Sequence, residues 1–172
     1  RALASPDLDT QIDAALMVSL AGAMKRDFEE LRMPMRAPQF YVGKSLGSCH
    51  TLLVREFAPL PDRLRSLVGR LSEVPRLLAQ GKENLKRPPK VWTDLSIGMA
   101  RGGISLFEEE IPLVAQQAPS LAGQVQEASA RAAEALKDFL RFLEEDLLPR
   151  SDGDFALGER LFNTMLRDVH ML

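Results

Sequence analysis

The chain is short of almost everything that would give a chemistry away. Its 172 residues include one cysteine, one tryptophan, one tyrosine and two histidines. A lone Cys49 cannot close an internal disulfide, and no C-x-x-C pair exists for zinc or dithiol chemistry. A single cysteine favours a reducing compartment. There is no H-E-x-x-H, and neither His50 nor His170 has a glutamate three residues before it. The zinc-peptidase signature and the Glu-x-x-His pairs of di-iron bundles are therefore both missing. Neither sign of charge dominates, with 22 basic against 24 acidic residues. Without a basic stripe to neutralise phosphates, nucleic-acid binding is not expected. Long apolar runs are absent too. Ala14–Met24 (AALMVSLAGAM) is the longest, well under the roughly 20 residues that a bilayer requires, and it reads as a buried helix face with no transmembrane segment.

Other chemistries fail on spacing. Ser45, Ser48, Ser96 and Ser105 lie in no G-x-S-x-G elbow. Neither a phosphate-cradling G-x-x-x-x-G-K-[ST] nor a G-x-G-x-x-G loop occurs. The nearest thing to a calcium loop, Asp152-Gly153-Asp154, would need glycine sixth and glutamate twelfth, where Leu157 and Asn163 stand. Cys49 and His50 are adjacent, so on a helix they point about 100° apart and cannot chelate one ion unaided. The acidic runs Glu108-Glu109-Glu110 and Glu144-Glu145-Asp146 splay around a helix and read as solvated faces. Met24, Met33, Met35 and Met99 read as core filler. No catalytic, cofactor-binding or metal-ligating residue is assigned.

What is present favours helix. The chain has 28 Leu and 19 Ala against 17 Val, Ile and Thr together. Eleven prolines punctuate it, and helices run in the gaps between them. Leu8, Ile12, Leu16, Leu20 and Ala23 form one stripe, with Asp7 placed to cap it. Val42, Leu46, Cys49, Leu53 and Phe57 form a second; Leu64, Leu67, Leu71 and Val74 form a third, which Pro75 should kink or restart. After Pro88-Pro89, one segment is apolar on two sides, through Trp92, Leu95, Met99 and Leu106 and through Ile97, Ile104, Phe107 and Ile111. Gly98, Gly102 and Gly103 in it call for close approach of a neighbouring helix, a bend, or a ligand-facing notch. The clearest helix spans Ser120–Leu148, its stripe running from Leu121 through Val125, Ala132, Leu136 and Phe139 to Leu147. Pro149 should end it, with Ser151 or Asp154 capping a last helix and Gly158 allowing tight packing there. The architecture expected is an all-α antiparallel bundle of about six or seven helices, a single domain over residues 1–172.

Three stretches carry a resemblance: VREFAPLPDRLRSLVGRLSEVPRLLAQGKENLKRPP, LEEDLLPRSDGDFALGERLF, and the weaker DTQIDAAL with RAPQFYV. Together they resemble the bacterial family named domain of unknown function 885, over about residues 7–172. The most specific parts are Asn84-Leu85 with Pro88-Pro89, and Gly153-Asp154-Phe155 with Leu157-Gly158. These are helix-junction motifs, not chemical ones. The resemblance implies large helical proteins related to gluzincin metallopeptidases, whose H-E-x-x-H lies far downstream of this region. No zinc ligand or catalytic glutamate therefore transfers to any residue here; zinc belongs, if anywhere, to a full-length protein.

The leading expectation is thus a non-catalytic N-terminal helical region of a metallopeptidase-like protein, shaping a substrate cleft or a dimer surface. The chain opens at Arg1 without a methionine, and an apolar face (Leu161, Met165, Leu166, Val169, Leu172) runs to its last residue, so a longer protein is expected. Its partner would be the remainder of that polypeptide or a second copy. The compartment is cytoplasmic or, with a leader removed, periplasmic or lipoprotein. The rivals are a self-contained helical interaction module and a small-ligand or lipid carrier opening at Gly98–Gly103.

Overall fold

The computed structural model describes residues 7–169, and among them it is all-α, with no strand. In chain order the helices are α1 (Leu8–Glu29), α2 (Met33–Arg36), α3 (Pro38–Val54), α4 (Leu60–Asn84), α5 (Lys90–Ser105), α6 (Ile111–Ala115), α7 (Pro119–Phe142) and α8 (Gly158–Asp168). A π-helical turn, Leu106–Glu110, joins α5 to α6 into one rod, so the eight segments make seven rods, as the sequence leads one to expect. A second π-helical turn, Leu143–Leu147, and a 3-10 turn, Leu148–Arg150, prolong α7. The chain divides into two compact units, Pro34–Asp154 and the flanking residues up to Met33 and from Phe155 onward.

The larger unit owns the hydrophobic core. Leu64, Leu67, Leu71, Val74 and Leu78 of α4 face Leu121, Val125, Ala132, Leu136 and Phe139 of α7, all buried. These are the sequence stripes, and α3 and α5 close the remaining sides through Tyr41, Val42, Cys49, Ile97 and Ala100. Prolines open α3, α4 and α7 within their first two residues, where a missing N–H costs nothing. Pro75 behaves differently from expectation: α4 runs through it unbroken from Leu60 to Asn84. An interior proline costs about 3 kcal/mol. Val74 and Leu78 beside it are buried, and each such side chain returns about 1.5–3 kcal/mol on burial. Packing outweighs the break.

The π-helical turns follow from two other prolines. Pro112 and Pro149 each stand two residues beyond one. In each, the residue before the proline reaches back five positions, Ile111 N–H to the Leu106 carbonyl and Leu148 N–H to the Leu143 carbonyl. The wider turn carries one extra residue and keeps buried side chains in line. Gly103, Phe107, Ile111 and Ala115 are buried at steps of four, as are Phe139, Leu143, Leu147 and Ser151. A 3.6-residue helix would rotate such a row by about 40° per step, and a π-turn absorbs the drift.

Glycines decide two close approaches. A β-carbon at Gly81 would lie 2.9 Å from the Tyr41 ring and 3.0 Å from Phe139. One at Gly103 would press on Leu46, so α3 does approach α5 there. Gly98 and Gly102 face open space. Buried Arg63 ends α3 by donating to three carbonyls, Leu52 at 3.0 Å, Leu53 at 2.7 Å and Ala58 at 3.0 Å.

The smaller unit pairs α1 with α8. Asp7 caps α1 as expected, accepting from the Thr10 N–H at 2.8 Å. Arg26 of α1 donates to the Asp168 carboxylate at 3.0 Å, Ser19 donates to the Asp168 carbonyl, and Arg160 of α8 meets Glu30 at 2.9 Å. The reading of Ala14–Met24 as a buried face is corrected, because α1 has no buried residue. A hollow of about 120 Å³ between α1 and α8 is lined by Ala23, Arg26 and Leu31 and by Leu161, Met165 and Val169, so of the stripe only Ala23 reaches it. The capping expectation for α8 is corrected as well. Neither Ser151 nor Asp154 caps it; it begins at Gly158, whose φ of +74° suits glycine, and a β-carbon there would touch nothing.

Candidate functional site

The Asn84-Leu85 and Pro88-Pro89 motif meets Gly153-Asp154, the first part of the other motif, at one place in the larger unit. Residues 85–89 link α4 to α5, and residues 151–154 follow the 3-10 turn. Pro88 and Pro89 have no N–H to extend α4 and favour extended backbone before them. Leu85 leaves the helix with φ −73° and ψ 120°, fully buried. The carbonyls so freed are collected from the other segment. Arg150 donates through Nη1 to the Leu85 carbonyl at 3.2 Å and to that of Lys86, and through Nη2 to Asp146 at 2.7 Å. Gly153 N–H donates to the Pro88 carbonyl at 3.1 Å. Arg87 reaches back with a two-pronged bond to Asp152, Nε at 2.7 Å and Nη2 at 2.6 Å.

A buried pair lies beneath. The Ser151 hydroxyl donates to the Leu147 carbonyl at 2.7 Å, leaving Thr93, 2.8 Å away, to donate to Ser151. Arg36 donates to the Asp154 carbonyl, and its guanidinium stacks 5.2 Å over Trp92. Asn84 donates to the Tyr41 hydroxyl at 2.9 Å, which donates to the Pro34 carbonyl at 2.7 Å. Hydrogen bonding to Arg87 holds the Asp152 carboxyl below the usual aspartate range, and the same bond raises Arg87. Burial raises the Tyr41 phenol, opposed by its bond from Asn84. The arrangement clamps two chain segments. It brings together neither a nucleophile with a base nor two facing carboxylates.

The other sequence candidates are dispersed. Cys49 is fully buried on α3, and burial pushes its thiol up to about 11, while the neighbouring His50 is exposed. His170 lies outside the described residues. The acidic runs fall on the two π-helical turns and engage cations: Glu108 meets Lys137 at 2.6 Å, Glu144 accepts from Arg101 at 3.0 Å, and Asp146 pairs with Arg150. Bonds from Glu108 and then Glu134 raise Lys137. A surface groove of about 270 Å³ passes over the first π-turn, lined by Phe107, Glu108, Pro112, Gln126 and Glu134. Met24 and Met35 are exposed rather than core filler. Asp152 and Asp154 belong to the clamp. The Gly98–Gly103 stretch holds Leu46 against Gly103. Among the described residues no three His, Cys, Asp or Glu side chains converge as metal ligands. No described helix is long and apolar enough to cross a membrane.

Two comparisons with known proteins bear on this fold. A candidate lipoprotein of unknown function from Shewanella oneidensis has a similar structure, with a TM-score of 0.78 and 21% identity. The match covers 95% of this chain and 32% of that one, so this chain spans about a third of the protein it resembles. At that identity the likeness establishes the fold alone. No curated protein matches the chain. The model for the family described as bacterial protein of unknown function (DUF885) matches residues 1–172, and the chain belongs to that family.

Proposed function

We propose that residues 1–172 are the helical N-terminal region of a longer metallopeptidase-like hydrolase, a scaffold that walls a substrate cleft and carries no catalysis itself. The supporting observation is one of proportion: the same fold occupies 32% of a longer chain. The chemistry then belongs to residues beyond these, and the clamp between residues 85–89 and 151–154 keeps the wall rigid. The test is to express the longest polypeptide that contains these residues in its native reading frame, beside residues 1–172 alone. Zinc is measured by elemental analysis, and hydrolysis with a quenched peptide library. Stoichiometric zinc and peptide cleavage are expected in the longer chain and neither of them in the shorter one. Cleavage by residues 1–172 alone, or a longer chain without zinc, would overturn the reading.

A second reading, a self-contained helical interaction module, is favoured by the closed core of residues 34–154. It predicts a reading frame that ends near Leu172 and a protein partner bound at micromolar affinity or better.

A further inference from the structure

Helix α1 has the composition of an interior helix and the exposure of a surface one. Leu8, Ile12, Leu16, Leu20, Met24 and Phe28 follow one another at steps of four, and their exposures run from 40% to 69%. Such a row is an i±4n ridge, the element that seats in the groove of another helix at about −50° or +20°. At about 100° per residue, five steps of four turn the row through roughly 200° over about 30 Å. Met17 and Val18, also exposed, extend the apolar cover further round. α8 is bonded to α1 through Ser19 and Arg26, and the hollows beside it are lined on α1 by Ala15, Val18, Gly22 and Ala23, none of them on the ridge. From Ala14 to Met24 the only polar side chain is Ser19, and a stretch of helix so apolar on every side is ordinarily buried.

From this ridge we infer that α1 is a docking spine for the remaining helices of its own longer polypeptide. The inference rests on the reading of residues 1–172 as part of a longer protein. Two observations select that occupant over a second copy. A ridge winding half-way round α1 cannot be covered by one straight helix, which meets only its middle, Ile12 to Met24; a two-fold dimer through α1 supplies one such helix. A chain of this fold also exists in which about two thirds of the residues lie outside the matched region, ample to enclose it.

Thiol labelling tests this on both polypeptides. Cys49 is buried and poorly ionised, so Leu20→Cys introduces the one fast-reacting thiol, and silence of Cys49 reports that the fold is intact. In residues 1–172 at low concentration, the introduced thiol should label within a few-fold of a free thiol. In the longer chain it should label at least ten-fold more slowly. A second variant, Leu16→Glu with Leu20→Glu, should leave the melting temperature of residues 1–172 unchanged and lower that of the longer chain. Equal labelling in the two chains overturns the inference while leaving the proposed function standing. So does protection in residues 1–172 that vanishes on dilution, because the occupant is then a second copy. A reading frame that ends at Leu172 overturns both.

Discussion

A methyl group at Gly153 would sit 2.2 Å from the Arg87 carbonyl oxygen, a backbone atom that cannot step aside. Gly153→Ala should therefore cost about 2–3 kcal/mol in urea unfolding, in the range of overpacked cores. Gly98→Ala and Gly102→Ala meet nothing and should each stabilise by up to about 1 kcal/mol. Cys49 gives a pH signature. Burial raises its thiol to about 11, so the folded chain keeps a proton that the unfolded chain loses at about pH 8.5. The stability tied to the protonated thiol is whole below about pH 8.5 and is lost as pH rises from there through about 11. Cys49→Ser should flatten that alkaline slope, as read by denaturant midpoints between about pH 7 and about pH 10.5. None of these effects is visible in the residue identities alone. The sequence marks Gly153 as a turn glycine, and only the meeting of residues 87 and 153 makes it irreplaceable.

Among the elements, the π-helical turns invite a deletion experiment. Each holds one residue more than an α-helix needs, so removing Glu109 should restore ordinary winding while Ile111 and Ala115 stay on the core. Removing Arg70 from α4 would instead rotate Leu71 and Val74 about 100° off the core. The first deletion should cost well under half as much as the second in a denaturant titration. The Arg87–Asp152 bond should respond to acid. Asp152 titrates lower when folded, so its contribution is present above the unfolded aspartate value, about 4, and is lost as pH falls through the folded one. Asp152→Asn should remove that response. The stripes of α4 and α7 were fully legible, since 3.6-residue spacing and burial coincide from Leu64 to Val74 and from Leu121 to Phe139. The π-turns left a fainter trace, three successive steps of four. The stripe of α1 misled for a physical reason: periodicity marks a face that can be buried, not whether this stretch of chain buries it. The clamp was half legible, its motifs standing out while their partnership, more than 60 residues apart in sequence, did not.

Across the molecule, protection should follow the units. α4 and α7 share a core of fully buried leucines, whereas α1 and α8 have no buried residue. Hydrogen exchange should find the amides of α4 and α7 slowest and those of α1 faster by about a hundred-fold or more, since sparse burial sets a low opening free energy. Limited proteolysis of residues 1–172 should likewise leave a core close to residues 34–154.

The bond from Arg36 to the Asp154 carbonyl fastens the larger unit at its two ends. Drawing together chain some 120 residues apart carries an entropic cost of about 4 kcal/mol, which is met once, when that unit folds. Thereafter the segments holding α1 and α8 leave from neighbouring points, as though a short tether joined them. Their encounter becomes intramolecular at high local concentration. The pair should therefore form after the larger unit, and loosening the bonds at residues 36 and 154 should weaken it.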